Sequence, residues 1–240
     1  MTKRHDDSVT DAGPPPPLPE PEHVSDDPGR PDTTILGAPG AMLVIISGPS
    51  GVGKDTIIDE MRRREAEAGR DGDRHYVVTM TTRAPRDGEV HGIDYNFVSR
   101  QEFLRIRADR GFLEANELYG NWYGTPRQQV RDALFAGKDV ILKIDVQGAQ
   151  IVKEQVTESL LIFIIPPTLE TLISRLRARA TETADELDVR QQNAAIELAR
   201  QGDYDHVVVN ETGKVGQTAD RIESIIAAER AAHVGRRVRV

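Results

Sequence analysis

Residues 43–56, LVIISGPSGVGKDT, constrain this chain more than any other stretch. Four apolar residues, Leu43 to Ile46, stop abruptly at Ser47, Gly48 and Pro49. Gly51, Gly53 and Lys54 follow, and then a run with helical character from Thr56 to Met61. A strand that turns through glycines into a helix is suited to holding an anion. Glycines let backbone N–H groups wrap it, the helix N-terminus adds the positive end of its dipole, and the lysine adds a mobile charge. The spacing Gly48-x-x-x-x-Gly53-Lys54 is that of a P-loop, and it assigns Gly48, Pro49, Ser50, Gly51, Val52, Gly53, Lys54, Asp55 and Thr56 to phosphate binding. The hydroxyl residue expected directly after the lysine is absent: Asp55 stands there, with Thr56 one place later.

The 240 residues suit one domain of about 200 residues with a tail. Without cysteine there is no disulfide and no thiolate metal site, which fits a reducing, cytoplasmic setting. No apolar run approaches the ~20 residues of a membrane span, and the N-terminus lacks the hydrophobic segment of a secretory signal. The formal net charge of −8 argues against a broad nucleic-acid surface and for small anionic ligands in an arginine-lined cleft. His75, His91 and His206 have no metal-ligand spacing and read as structural. Residues 1–40 hold nine of the 14 prolines, many acids and no aromatic residue. Such a segment cannot bury enough apolar surface to offset its ordering entropy, so it reads as a disordered tail. A partner-binding polyproline arm at Pro14 to Pro17 is the less favoured reading.

Periodicity and punctuation then predict helices over 54–68, 100–109, 168–177, 185–200 and 216–232, and another opened by Thr125 and Pro126 as far as 136. Strands are predicted over 75–81, 94–98, 111–118, 121–124, 140–146, 160–165 and 207–209. Buried strands alternating with helices make an open parallel α/β sheet that binds ligand at the strands' C-terminal ends. The span 94–124 interrupts that rhythm with short strands and reads as a small β-rich lobe facing the P-loop.

Three clusters in the rest of the chain have a use for phosphate or base. Arg83 and Arg86 lie three residues apart on a turn-rich loop and read either as a solvated basic turn or as forked donors gripping one phosphate, with Tyr95 adding a hydroxyl. Glu114 sits in an apolar strand, so it lies either at the surface or against a donor-rich partner, such as the adjacent N1–H and N2–H donors of guanine. Tyr123 and Thr125 lie in a tight turn that can face the same base. Arg175, Arg179 and Arg190 form a basic segment, the first two on one helix face, that reads either as solvated surface or as charge brought to a transferring phosphoryl group.

Six stretches in order, GPSGVGK, TTRAPRDGEVHGIDYNFV, FLEANELYGNWYGT, IDVQGAQ, IIPPTLETLISRLRAR with TET, and VVVN, span residues 42–232 and resemble guanylate kinase, of the nucleoside monophosphate kinase superfamily. The resemblance implies phosphoryl transfer from ATP to GMP, giving ADP and GDP, with Mg²⁺. It implies a P-loop kinase fold over 41–233, with a GMP-binding lobe at 75–126, a mobile lid at 175–190, and a basic tail at 234–240. Carried over by motif, Thr79, Arg83, Arg86, Tyr95, Glu114, Tyr123, Thr125 and Asp145 resemble the GMP site. Lys54 resembles the ATP phosphate site, and Arg175, Arg179 and Arg190 the lid and transfer arginines. ATP and GMP are then the partners, with no nucleic acid and no membrane, and the oligomeric state is left open. Two departures stand together. The family has Ser or Thr where Asp55 stands, and Asp-Ile-Asp where this chain has Lys143-Ile144-Asp145. The expectation is that Asp55 and Lys143 pair, and that Mg²⁺ is held mainly by nucleotide and water, with Asp55 or Asp145 as the protein ligands. A ribose bisphosphate kinase of the same superfamily, and an inactive protein-binding module of the guanylate kinase type, are the alternatives. The first has no need of Glu114, and the second typically loses the lysine and arginines that this chain keeps.

Overall fold

The computed structural model describes residues 36–118, 120–177 and 184–240, the side chains of residues 184–190 and 192 excepted. The apolar run before the glycines forms strand β1 (Leu43–Ser47), buried along its whole length. It is central because both of its faces are apolar. Val44 and Ile46 point into one core cluster with Ile57, Ile58 and Met61. Leu43 and Ile45 point into another with Val130, Leu134, Ala149 and Val152. A strand covered on both faces reads as continuous rather than alternating hydrophobicity.

Helix α1 (Lys54–Glu67) follows the glycine loop and supplies the first of these faces. The chain continues through β2 (Arg74–Tyr76), β3 (Met80–Thr81), β4 (Asn96–Phe97), α2 (Arg100–Ala108), β5 (Phe112–Leu118), β6 (Asn121–Pro126), α3 (Arg127–Phe135), β7 (Asp139–Lys143) and α4 (Val146–Gln155). It then runs through β8 (Leu160–Ile165), α5 (Leu169–Arg177), α6 (Ala184–Ala199), β9 (His206–Val209) and α7 (Val215–Ala232). The core sheet has the order β2-β7-β1-β8-β9, with every pairing parallel. A second sheet, β4-β3-β6-β5, forms the lobe, with Phe103, Phe112 and Trp122 packed beneath it.

The structure departs from the sequence reading at four places. The single strand predicted over 75–81 is divided between two sheets. Val77 still donates to the Ile141 carbonyl at 3.1 Å, but the Val78 peptide is taken over by the Gln129 amide, which accepts from its N–H and donates to its carbonyl, both at 3.3 Å. A side chain thus ends the core strand and releases the chain into the lobe. Thr125 does not cap α3: β6 runs on through Pro126, and the Thr125 hydroxyl is used across the hairpin. The strand predicted to 146 stops at Lys143, where α4 begins with Asp145 as N-cap, its carboxylate accepting the Gly148 N–H at 2.9 Å. Finally, the boundaries at 40 and 234 cut through a paired segment. Gly37 donates to Val238 at 2.8 Å and Gly40 to Arg236 at 2.9 Å, and Val238 and Val240 are buried. Arg237 and Arg239 are the exposed side of a packed strap, not a loose tail, and Arg236 is half-buried against Glu229. The rest of the proposed tail, residues 1–35, lies outside the described residues.

Candidate active site

β1 and β7 run side by side, with Ile46 level with Lys143, and a cleft opens beyond their C-terminal ends. One wall is the glycine loop. Gly48 has a φ of 145° and a Cβ there would lie 2.3 Å from the Ile164 carbonyl oxygen. Gly53 has a φ of 101°, and its Cβ would lie 2.6 Å from the Asn210 amide nitrogen. Only glycine fits either place. Asn210 donates to the Val52 carbonyl at 2.8 Å and accepts from the Thr218 hydroxyl at 3.0 Å, so the loop rests on a side chain that is itself held.

Lys54 opens α1 and folds back over the loop, donating to the Gly48 and Pro49 carbonyls at 2.5 and 3.2 Å. Burial pulls its pKa down, while Glu197, Asp55 and Asp145 pull the other way. Gly48, Ser50, Gly51, Val52, Gly53, Lys54 and Asp55 reach the cleft. Pro49 is buried behind them, and Thr56 faces solvent.

The opposite wall comes from the lobe. Thr79, Arg83, Arg86, Tyr95, Glu114 and Tyr123 all line it, with Asp145 on the floor beside Ile144. A bulge between Phe112 and Glu114 makes this possible: Phe112 packs beneath the lobe, and Glu114, two residues on, faces the cleft. Glu114 is 4% exposed. Its Oε1 accepts the Thr125 hydroxyl at 2.7 Å, and its Oε2 has no partner. Burial pushes its pKa up to about 8; the Thr125 bond opposes this and the charge of Asp145 adds to it. Thr125 is fully buried and off the cleft wall, so it orients Glu114 rather than touching a ligand. A Cβ on Gly148 would come within 3.1 Å of Oε2, so that glycine leaves the carboxylate its room.

Arg83 is locked by Glu89, a residue the sequence reading passed over. Its Nη1 and Nη2 donate to the two carboxylate oxygens at 2.9 and 2.8 Å, and the Arg86 N–H donates to the same carboxylate at 2.7 Å. Burial raises the Glu89 pKa, but these donors outweigh it and hold the group below its ordinary value. The signal was present in the spacing, an acid three and six residues after the two arginines. Asn116, also passed over, donates to both Asp145 oxygens at 3.1 and 3.2 Å.

The two departures from the family pattern meet. Lys143 Nζ donates to Asp55 Oδ1 at 2.5 Å and lies 5.1 Å from the centre of the Tyr95 ring. Burial pulls the Lys143 pKa down, and Asp55 more than restores it. Both oxygens of Asp145 accept hydrogen bonds, from Asn116 and Gly148. Among the described residues no three His, Asp or Glu side chains gather for a metal ion. That donor set fits Mg²⁺ carried by a nucleotide, where one or two carboxylates supplement phosphate oxygens and water.

Arg175 is placed differently from the other expected site residues. It donates to the Val52 and Asn210 carbonyls at 3.1 and 3.0 Å and to the Thr212 hydroxyl at 2.9 Å. It is a clamp behind the glycine loop, off the cleft wall. Arg179 lies outside the described residues, and Arg190 belongs to α6 with its side chain likewise outside them.

Comparison with known proteins agrees with this geometry. The guanylate kinase family pattern matches residues 40–229. A guanylate kinase of Lactobacillus delbrueckii subsp. bulgaricus is 45% identical over 188 residues, 78% of this chain and 89% of the relative. One of Clostridium tetani is 43% identical over 79% of this chain and 86% of its own length. The crystal structure of guanylate kinase from Anaplasma phagocytophilum superposes with a TM-score of 0.64 at 35% identity, covering 81% of this chain and 88% of that one. A glycine loop facing a lobe that presents a carboxylate with one unpaired oxygen, together with these likenesses, places the chain in the guanylate kinase family.

Proposed function

We propose that the chain transfers the terminal phosphoryl group of ATP to GMP, giving ADP and GDP. The observation that carries this reading is Glu114, a buried carboxylate with one unpaired oxygen on the wall of a cleft whose other wall is a P-loop. Guanine presents two adjacent N–H donors, which an ionised carboxylate accepts together. Adenine presents an acceptor at the corresponding edge and leaves Glu114 unsatisfied. A site built to hydrogen-bond its substrate rejects a mismatched one strongly.

Arg83, Arg86 and Tyr95 hold the acceptor phosphate, and the glycine loop with Lys54 holds the donor phosphates. An oxygen of the acceptor phosphate attacks the γ-phosphorus in line, and the bond to the β–γ bridging oxygen breaks, so no covalent enzyme intermediate is needed. Lys54 offsets charge on the transferring group, and Arg179 and Arg190 add to it from the lid. Asp55 and Asp145 are the carboxylates that would hold Mg²⁺ arriving with ATP, which would supply charge neutralisation at the phosphates. Closure of the lid excludes water, which would otherwise take the phosphoryl group. The site residues, the lid and the metal all rest on this reading, as does a place in cytoplasmic guanine nucleotide metabolism. No helix among the described residues is long and apolar enough to cross a membrane.

A coupled ADP-release assay with purified protein, ATP and a panel of acceptors tests the proposal. Turnover is expected with GMP and not with AMP, CMP or ribose 1,5-bisphosphate. Turnover with the sugar bisphosphate alone would replace GMP as substrate, and no turnover with any acceptor would favour the binding-module reading.

A further inference from the structure

We propose that Lys143 is a further phosphate-binding residue of the acceptor side, and that Asp55 is the counterion from which its ammonium passes to the acceptor phosphate. The inference rests on reading the cleft as a GMP site.

Lys143 ends β7, abreast of the residue that leads into the glycine loop, so its side chain emerges where the two nucleotide phosphates must approach. Its surroundings identify which phosphate it serves. The Tyr95 ring has two cations against it: Lys143 Nζ is 5.1 Å from the ring centre, and the Arg83 guanidinium carbon is 5.4 Å from it. Arg83, Tyr95 and Lys143 therefore form one cluster, and the first two are the acceptor-phosphate groups of the lobe. Lys143 completes that cluster from the core sheet, on the side nearest the donor loop.

The pair with Asp55 is suited to exchange. The Lys143 side chain is 17% exposed and the Asp55 side chain 59% exposed, so the ammonium is held inside the cleft and the carboxylate sits at its mouth. An ion pair with one member mostly in water is weak. A phosphate dianion offers more charge and more acceptor oxygens than one carboxylate oxygen. The ammonium needs only rotamer changes along a flexible four-carbon stem to move between them. The competing account makes the pair a strap that ties the start of α1 to β7 and nothing more.

Calorimetric titration of GMP and of guanosine into the full chain separates the two accounts, because guanosine keeps the base and lacks the phosphate. Lys143→Met should weaken GMP binding about tenfold to a hundredfold, the usual cost of one charged hydrogen bond, and leave guanosine binding unchanged. Lys143→Arg should recover part of the loss. Asp55→Asn breaks the same pair but keeps the ammonium, and should lose less GMP affinity than Lys143→Met. Lys143→Gln replaces Lys143→Met should that variant fail to fold. Equal losses in the Lys143 and Asp55 variants, a loss shared by guanosine, or wild-type GMP affinity without the ammonium would each overturn the inference. Wild-type protein that binds neither GMP nor guanosine would overturn the functional reading itself.

Discussion

The two walls of the cleft are built from different materials. The donor wall is mostly backbone: seven of the eight positions from Gly48 to Asp55, on a glycine loop whose shape is dictated by positive φ angles and close approaches. The acceptor wall is mostly side chains, drawn from Thr79 just before β3, the loop between β3 and β4, β5 and β6, with Asp145 on the floor, and three of them are held by another side chain. Glu89 fixes Arg83, Thr125 fixes Glu114, and Asn116 fixes Asp145. A backbone site is contiguous in sequence and tolerates little change at its glycines. A side-chain site is assembled from distant residues and can be retuned one pair at a time.

If that contrast is right, the largest single loss lies on the donor side, where one side chain carries what the backbone cannot. Lys54→Met should lower kcat by about a thousandfold, in the range for removing a donor aimed at developing charge, while GMP binding measured without ATP stays near wild type. Weakened GMP binding in this variant would mean that the walls are not independent.

Next in size, Glu114→Ala should cost about a hundredfold or more in kcat/KM for GMP, because two charge-assisted hydrogen bonds to the base disappear. The preference for GMP over AMP should shrink with it. Stability should change far less, because the carboxylate is buried with one oxygen unpaired and contributes little to holding the lobe. Wild-type GMP efficiency in this variant would remove Glu114 as the guanine reader.

The same asymmetry decides what could be read in the sequence. The glycine loop was legible because its spacing is the site, and β8 was legible because six consecutive apolar residues between a turn and two prolines allow little else. Glu114 was visible as an acid in an apolar strand, but its geometry depends on a bulge that no local pattern announces. Glu89 and Asn116 stayed hidden because each acts through a partner, and Arg175 carried a spacing that fits a transfer arginine as well as the loop clamp it is. Helix α4 was missed although Asp145 caps it and Val146, Ala149 and Val152 mark its buried side. The apolar strand before it drew the reading too far along the chain. The Asp55 and Lys143 pair was legible only as two departures, and their meeting needed the strand register that sets Lys143 beside the loop.

A third test uses pH and belongs to the acceptor wall alone. The Glu114 pKa lies near 8 in the folded chain against an ordinary 4.5, so the folded state holds a proton that the unfolded state has released. Stability from this group is therefore present in full below pH 4.5 and is lost as pH rises through about 8, at about 1.4 kcal/mol per pH unit across that window. Melting temperatures of wild type should fall relative to Glu114→Gln over that range. Because guanine selects the ionised carboxylate, GMP binding at pH 7 should release a proton, seen as a dependence of binding enthalpy on the buffer's ionisation enthalpy. Parallel melting curves for the two proteins would show that Glu114 is already ionised.

The smallest expected effect probes how far the side-chain wall depends on its supports. Glu89→Gln keeps the shape but removes the charge that locks the Arg83 fork, and the Arg86 N–H loses a carboxylate acceptor. Arg83 keeps its charge and its place against Tyr95 and Phe97, so the phosphate site is loosened rather than removed. KM for GMP should rise about tenfold, with kcat and KM for ATP near wild type, since one charge-assisted contact is lost and the donor wall is untouched. A matching fall in kcat would mean that Glu89 positions the acceptor for attack as well as for binding. The side-chain wall would then be as rigid in function as the glycine loop opposite it.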